Sequence, residues 1–273
     1  MEAKKGRREM KKFELTTEFV TNAFGEKLFR IKALIEFGDV KAGELGGYVE
    51  KEENISQDGD AWVSDNAEVF GDARISDNAT VCNNATVCNN ATVSGDARIS
   101  GNAEVCNNAW VYGNAEVTGD ARISGDAWIS GNARISDTAT VCNNATVCNN
   151  ATVSGDARIS GNAEVCNNAW VYGNAEVTGN ARISGNTCVY GNARISGNAD
   201  YALVQGFGTE FRCTTFYRGK NKKIMVNCGC FNGDLEGFRK QVKETRNGKI
   251  AKEYLMIADL MEYHFTSEDS SDE

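Results

Sequence analysis

The middle of the chain repeats a six-residue pattern in which small, variable and β-branched positions alternate. From Gly59 to Ala202 the sequence divides without a break into 24 hexads of the form G/N-N/D-A-x-V/I-S/C/Y/T. Ala holds the third place in 23 hexads, failing only at Thr187, and Val or Ile holds the fifth in 23, failing only at Tyr201. This alternation predicts a short strand in each hexad, and the Gly, Asn and Asp residues predict corners that tolerate positive φ. A lone hexad cannot bury its apolar side, so the hexads are predicted to stack into an all-β solenoid.

Charged residues at the variable fourth place indicate how many hexads form one coil. That side chain is predicted to point outward, where like charges on adjacent coils would repel each other. A coil of three hexads gives seven opposite-charge contacts and no like-charge contact, whereas coils of two or four hexads stack like charges. Eighteen-residue coils therefore predict a three-sided prism of about eight coils, roughly 38 Å long. The predicted charge ladders are Arg98–Glu116–Arg134, Glu104–Arg122, Arg158–Glu176–Arg194 and Glu164–Arg182–Asp200.

A long stretch of hexads is duplicated within the prism. The segment from Asn78 to Gly119 returns sixty residues later, starting at Thr138, with only its first position changed. Sixty residues are ten hexads, which amount to three coils and one further hexad. The second copy is therefore predicted to be rotated by one wall, so that Trp110 and its counterpart Trp170 lie on different walls. A surface selected to meet one flat partner would not survive this rotation, whereas a scaffold would.

The segment before the hexads predicts an irregular beginning of the solenoid. Residues 1–12 contain six Lys or Arg and two Glu, which is typical of a disordered basic arm, with phosphate contact as the alternative. Residues 13–58 predict a β segment followed by a first coil. Val49 and Ile55 are six residues apart but Val63 follows after eight, so two extra residues are expected before the regular prism.

After the hexads, residues 203–266 predict a small α+β domain that caps the last coil. The stretches EFRCTTFYR and KKIMVNCG alternate like two strands joined around Gly219–Lys222. The stretches DLEGFRKQVKET and IAKEYLMIADLMEYHF have helical periodicity, and Asp234 is the predicted N-cap of the first. Residues 267–273 are typical of a disordered acidic tail.

The hexads resemble the hexapeptide signature of the left-handed parallel β-helix found in bacterial acyltransferases. This resemblance covers Gly59–Ala202 and implies a left-handed coil, a homotrimer, and acyl transfer with a His general base on the prism and loops extruded from the coils. The sequence departs from that pattern, because its single His is His264 in the last predicted helix and the hexads contain no insertion. The related zinc-dependent carbonic anhydrases need three His ligands. We therefore expect a protein that is not an enzyme, with no catalytic residue and no cofactor.

The flanks carry a second, narrower resemblance. The stretches KALIEFGDVKAGELGGYVEKEENISQDGDAWV and FGTEFRCTTFYRGKNKKIMVNCGCFNGDLEGFRKQVKETRNGKIAKEYLMIADLMEYHF are similar to uncharacterised proteins encoded by phages and prophages of gut bacteria. Those proteins place variable numbers of hexads between similar ends. The resemblance implies a phage-type protein that acts in a bacterial host cell, and it brings no activity with it.

Composition and charge exclude several classes of partner. No apolar run approaches the roughly 18–20 residues of a membrane span and no signal segment is apparent, so we expect a soluble, cytoplasmic protein without a membrane partner. Seven of the ten Cys occupy fixed places in the hexads, which favours reduced thiols that act as small hydrophobes. The prism carries ten Asp, five Glu and seven Arg, which is a net charge of −8. Duplex DNA of the same length carries about 22 negative charges. DNA mimicry and a nucleic-acid partner are therefore not expected.

Three cysteines of the cap form the one candidate metal site. With the turn at Gly219–Lys222, Cys213 would lie opposite Cys228, and Cys230 follows two residues later. A zinc site with His264 nearby is one interpretation, although C-x-C is an unusual ligand spacing. Plain buried thiols are the favoured interpretation.

Aromatic residues at outward places are the best sequence indication of a partner. Trp and Tyr are enriched at protein interfaces, and Ser or Thr would serve at these places. Stacking between coils on a polar wall is the equally weighted alternative. The candidate interaction patch is Trp110, Trp128, Tyr112, Trp170 and Tyr172, and Trp62 and Tyr190 are predicted to point outward as well.

These patterns favour a rigid scaffold or protein-interaction module with an unidentified protein partner. The alternative is a counter-defence or host-takeover protein that binds a bacterial host factor or a small ligand through the C-terminal domain. A hexapeptide acyltransferase ranks third.

Overall fold

The structure, a computed structural model, describes residues 11–209, 211–219 and 223–266. Its body is a parallel β-solenoid built from two-residue strands. These strands, β4 to β26, begin with Trp62–Val63, recur every six residues and end with Arg194–Ile195. Three strands in succession belong to three different sheets, so the solenoid has three walls. The predicted three-sided solenoid is confirmed.

Each wall is one sheet. The first wall contains β5, β8 and every third strand up to β26, and it continues at its lower end into β3 (Leu45–Val49), β2 (Lys27–Ala33) and β1 (Phe13–Thr21). The second wall runs from β4 to β25 in steps of three strands, and the third wall runs from β6 to β24 in the same way. Between neighbouring coils the partners are three hexads apart, as in the pair of Arg98 and Glu116, which confirms the predicted coil length.

The interior is filled by the third and fifth residues of the hexads. From Ala61 to Ile195 the Ala, Val and Ile residues at these places are essentially inaccessible to solvent and form one continuous cluster. Backbone amides pair between coils, as where the Arg98 amide donates to the Ala115 carbonyl at 2.9 Å. The first residue of a hexad adopts a positive φ, for example 62° at Asn83 and 75° at Gly101. This explains why Gly, Asn and Asp occupy that place.

Four of the seven predicted charge contacts between coils form ion pairs. In each of them a Glu lies one coil before an Arg, and the Nε–Oε2 distances range from 3.2 to 3.8 Å. Arg98 and Arg158 are in register with the Glu one coil later, but no ion pair joins them to it in the described part of the chain. These pairs are exposed, so each contributes well under about 1 kcal/mol. The four pairs are Arg122–Glu104, Arg134–Glu116, Arg182–Glu164 and Arg194–Glu176.

The first coil is two residues longer than the others. Val49 pairs with Val69, and Ile55 bridges to Ile75, so both separations exceed three hexads by two positions. A 3₁₀ turn at Glu52–Asn54 begins this coil. The two extra residues predicted before the regular prism are therefore confirmed.

Lys12 caps the N-terminal end of the solenoid. Its side chain is only 2% exposed. The ammonium donates to the carbonyl oxygens of Gly59 at 3.1 Å and Ala61 at 3.0 Å, and it lies 4.9 Å from the centre of the Phe37 ring. These carbonyls belong to the lowest coil, and buried carbonyl groups require a donor. Lys12 therefore performs part of the capping that a solenoid end needs.

The prediction that residues 1–12 form a disordered arm is wrong at its last two positions. Lys11 forms an ion pair with Glu52 at 2.7 Å, and Lys12 is buried as described. Contacts with the first coil, which lies more than forty positions further along, hold both side chains in place. The remaining part of that prediction, residues 1–10, lies outside the described residues, as does the predicted acidic tail at 267–273.

Replacing Lys12 with Met should remove a distinctive pH dependence of stability. Burial lowers the pKa of Lys12 from 10.5 to about 8, against the opposing effect of nearby Asp60 and Asp58. Between these two values the unfolded chain binds more protons than the folded one, so Lys12 makes stability rise as pH increases from about 8 to 10.5. The difference in unfolding free energy between parent and Lys12→Met should grow in favour of the parent by about 1 to 2 kcal/mol over this window.

Urea unfolding at pH 7.5 and pH 10 measures this difference, and the comparison cancels the contributions of thiols and tyrosines common to both proteins. Lys11→Met is the matched control, because Lys11 is exposed. A parent-minus-variant difference that is the same at both pH values would contradict the assignment.

The C-terminal cap is a four-stranded antiparallel sheet with two helices. Its strands are β27 (Tyr201–Phe207), β28 (Arg212–Arg218), β29 (Ile224–Cys228) and β30 (Phe231–Asp234), and they pair in that order. The helices are α1 (Leu235–Thr245) and α2 (Gly248–Thr266). The two predicted strands and two predicted helices are present, and Asp234 caps α1 by accepting a hydrogen bond from the Gly237 amide at 2.9 Å. The outer strands β27 and β30 were not predicted.

The last predicted hexad does not belong to the solenoid. Asn198–Asp200 forms a 3₁₀ turn, and Tyr201 already begins β27. Tyr201 takes the fifth place, where the other hexads have a smaller β-branched residue that fits the interior. The Asp200 carboxylate accepts hydrogen bonds from Ser196 and pairs with Arg218 at 3.3 Å. The predicted contact of Asp200 with Arg182 is therefore wrong.

Candidate functional site

Three aromatic side chains form a cluster on the third wall. Trp110 and Trp128 are register partners on adjacent coils, with ring centroids 5.9 Å apart and an edge-to-face angle of 73°. Tyr112 lies at the corner two residues after Trp110, and its ring centroid is 5.8 Å from that of Trp128. The two indoles are 49% and 46% exposed. We call Trp110, Tyr112 and Trp128 the aromatic cluster.

The position of the cluster follows from the hexad. Trp110 and Trp128 occupy the outward fourth place, so the wall backbone holds them side by side. Thr92 precedes Trp110 and Thr146 follows Trp128 along the same column of strands. Because both flanking residues are short, the two indole rings protrude from the surrounding wall. The cluster is thus a raised, half-exposed apolar feature on a polar surface.

The other two residues of the predicted patch lie elsewhere. Trp170 is on the second wall and is 56% exposed, while Tyr172 stacks on Tyr190 with centroids 4.9 Å apart and rings nearly parallel. Burial raises the pKa of Tyr172 to about 12. Trp170 and Tyr172 line a shallow depression of about 180 Å³. The five predicted residues therefore form two separate surfaces, which confirms that the second copy is rotated by one wall.

Trp62 does not point into solvent as predicted. Its side chain is 4% exposed and packs edge-on against the rings of Phe13 and Phe37, with centroids 6.4 and 5.4 Å away. Both phenylalanines belong to the segment before the hexads. The outward place of the hexad is thus covered at the lowest coil, and Trp62 joins the core.

The structure does not bring Cys213, Cys228 and Cys230 together. Cys228 faces Thr214 in the strand register, and the Thr214 hydroxyl donates to its sulfur at 3.1 Å. Cys213 is half-buried, and burial raises its thiol pKa. Cys230 is exposed in the turn after β29. Over the described ranges, these three are not a group whose ligand atoms could share a metal ion.

A different thiol group, which was not predicted, lies on the solenoid. The sulfur atoms of Cys148 and Cys166 and a carboxylate oxygen of Glu164 all lie within 4.8 Å of one another. Burial raises the thiol pKa of both cysteines, to about 11 for Cys166, where a hydrogen bond with Glu164 adds to the effect. The signal was present in the sequence, because the two cysteines are three hexads apart and Glu164 is two residues before the second. We call this set the Cys148 group.

The cap contains a cavity of about 220 Å³ between its sheet and α1 and α2. Phe231, Phe238 and Tyr254 supply aromatic walls, Arg246 a cationic group and Cys228 a thiol. His264, the single His of the chain, is in α2 with its ring 4.9 Å from that of Phe265. His264 therefore lies in the cap, whereas the aromatic cluster lies on the solenoid.

Comparison with known proteins supports the fold. A family model described as the YdcK beta solenoid repeat matches residues 73–89. No curated protein matches the chain significantly. None of the helices in the described ranges is long and apolar enough to span a membrane. With its three parallel sheets and coils of three hexads, the chain contains a β-helix of the hexapeptide-repeat kind.

Proposed function

We propose that the protein is a non-catalytic scaffold that presents the aromatic cluster to a protein partner. The observation that carries the proposal is the exposure of two adjacent indoles, 49% and 46%, on an otherwise polar wall. A β-solenoid repeat is a rigid support on which side chains keep fixed spacings. Trp and Tyr in this arrangement are the residues that contribute most often to interface hot spots.

Stacking between coils alone accounts poorly for the cluster. An aromatic pair contributes about 0.5–1.5 kcal/mol beyond its buried area. The first wall, from β5 to β26, has only Thr, Glu and Arg at the same outward place, and its coils stack without large apolar groups in solvent. A residue that served only as a ladder partner would not need a half-exposed indole. Partner binding gives these rings a reason to be at the surface.

The resemblance of the flanks extends this proposal to the setting. We expect a partner from a bacterial host cell and action in its cytoplasm, as for a phage-type protein. Acyl transfer receives little support, because a general base must lie within hydrogen-bond reach of its proton and the single His264 is in α2 of the cap.

The cap cavity favours a second candidate function. Its aromatic walls and the Arg246 guanidinium would suit a small planar anion or an acidic side chain of a host factor. Under this alternative the C-terminal domain binds the target and the solenoid serves as its support.

Replacing both Trp110 and Trp128 with Ser should abolish partner capture. Loss of two hot-spot residues, each contributing about 2 kcal/mol, lowers affinity by up to about 1,000-fold. Affinity purification of the tagged full chain from bacterial host cells, with quantitative mass spectrometry, measures the captured partner. The matched control is Trp170→Ser with Tyr172→Ser, which likewise removes two aromatic side chains, here from the second wall and the corner after it.

An Arg246→Glu variant separates the two candidates. A partner that is lost with Trp110→Ser and Trp128→Ser but kept with Arg246→Glu supports the aromatic cluster. A partner lost only with Arg246→Glu supports the cap instead. Equal capture by the parent and by the double variant Trp110→Ser, Trp128→Ser would refute the proposal, provided that circular dichroism shows both proteins to be folded.

A further inference from the structure

The Cys148 group is a product of the coil geometry. Cys148 and Cys166 occupy the same corner of two adjacent coils, one after the third-wall strand β18 (Thr146–Val147) and the other after β21 (Glu164–Val165). Glu164 is two residues before Cys166, so both side chains leave β21 on its outer side. The three ligand atoms lie within 4.8 Å of one another. Two neighbouring coils thus bring two thiols and a carboxylate together at one corner, where Cys148 and Glu164 are half-buried and Cys166 is buried.

The duplicated segment provides the same three residues in another environment. The counterparts, sixty residues earlier, are Cys88, Glu104 and Cys106. There Cys88 is buried in an apolar cluster with Tyr48 and Phe70, beneath the strands that precede the hexads. In the second copy Cys148 is half-buried, whereas Cys166 is buried with 3% of its surface exposed. Among the described residues, only the second copy brings all three ligand atoms together.

We propose that Cys148, Glu164 and Cys166 bind one zinc ion. Zinc takes thiolate sulfur at about 2.3 Å and carboxylate oxygen at about 2.0–2.2 Å, which puts the ligand atoms of a tetrahedral site about 3.5–3.8 Å apart. Atoms within 4.8 Å of one another therefore reach this geometry through side-chain movements of about 1 Å. Two thiols and one carboxylate fill three positions, and water takes the fourth. Binding releases the two thiol protons to solvent.

Arg182 completes the surroundings of the site. Its Nε lies 3.2 Å from Oε2 of Glu164, and its Nη2 donates to Oε1 at 3.2 Å. Each carboxylate oxygen has two lone pairs, so one that accepts from the guanidinium can still bind zinc, and the guanidinium fixes the orientation of the carboxylate. Two thiolates and a carboxylate around Zn²⁺ carry a net charge of −1, which the guanidinium offsets. Soft thiolate ligands select zinc over magnesium or calcium.

The test is a titration of the reduced, chelator-treated full chain with Co²⁺, followed by displacement with Zn²⁺. We expect one equivalent of Co²⁺ to give a sulfur-to-metal charge-transfer band that zinc abolishes. Cys148→Ser and Cys166→Ser should each eliminate the band and weaken zinc binding at least about 100-fold, and Glu164→Gln should weaken it about 10- to 100-fold. Cys106→Ser, the change at the equivalent place of the first copy, should leave both unchanged.

A thermal melt provides an independent readout. Zinc bound only by the folded state raises Tm, and it should do so for the parent and Cys106→Ser but not for Cys166→Ser. Magnesium should have no effect on any of them. Unchanged zinc affinity in Cys148→Ser and Cys166→Ser would overturn the proposal, and so would an equal loss in Cys106→Ser. Binding by Glu164→Gln as tight as by the parent would overturn the three-ligand arrangement.

Discussion

Replacing Ile123 with Asp is expected to cost at least about 4 kcal/mol of unfolding free energy and to break the solenoid near its middle. Ile123 is fully buried in the first wall, between Val105 on one coil and Val141 on the next. An Asp there would place a carboxyl group among apolar side chains without a partner. Because each coil is stabilised only by its neighbours, one defective coil separates the stack into two shorter pieces.

Urea unfolding followed by far-UV circular dichroism measures this effect. Ser124→Asp is the matched control, since Ser124 is the next residue and lies half-buried at the corner. It should lose no more than about 1 kcal/mol. A variant Ile123→Asp that unfolds at the same urea concentration as Ser124→Asp would show that the column of fifth-place residues does not hold the coils together.

Replacing Tyr217 with Ala is expected to detach the cap and make the protein aggregate. The ring of Tyr217 is 1% exposed, and its hydroxyl donates to the Tyr190 carbonyl at 3.1 Å. Loss of a large buried ring costs about 3–5 kcal/mol. The cap also hydrogen-bonds the edge of the last coil, where the Cys188 amide donates to the Thr215 hydroxyl at 3.3 Å. An uncovered β edge is a template for association with further chains.

Light scattering at 37 °C, as a function of protein concentration, detects this association. Tyr217→Phe is the control, because it keeps the ring and removes only one hydrogen bond, at a cost of about 1–2 kcal/mol. It should remain monodisperse under conditions in which Tyr217→Ala scatters light. If Tyr217→Ala stays monodisperse with an unchanged melting temperature, the cap does not protect the edge through this residue.

The coil length could be predicted from the sequence because the ladders are local and periodic. Opposite charges three hexads apart, such as Glu104 and Arg122, reflect a repulsion rule that acts at every coil. The ends could not be predicted in the same way. Trp62 obeys the hexad pattern but is covered by Phe13 and Phe37, and only the packing of a distant segment decides this.

For the candidate sites too, features set by the hexad repeat could be predicted, whereas features set by strand register outside the repeat could not. The separation of Trp110 from Trp170 followed from the count of hexads. The predicted thiol site of the cap is wrong because the register of β28 and β29 differs by one residue from the one assumed for a turn at Gly219–Lys222. In the structure Arg218 lies opposite Ile224. In a sheet, a shift of one residue moves every side chain to the other face, so Cys213 and Cys228 no longer meet.

The two copies are offset by three coils and one hexad, so the number of hexads determines the direction in which the cap faces. Each added hexad rotates the C-terminal part of the protein by about 120° around the solenoid axis, because three hexads make one coil. Gain or loss of one ten-hexad copy would move the cap by about 16 Å along the axis and leave it facing a different side. Only three such copies together would return it to its original direction. Natural lengthening by duplication would therefore reorient whatever the cap binds relative to the N-terminal strands, in three discrete settings.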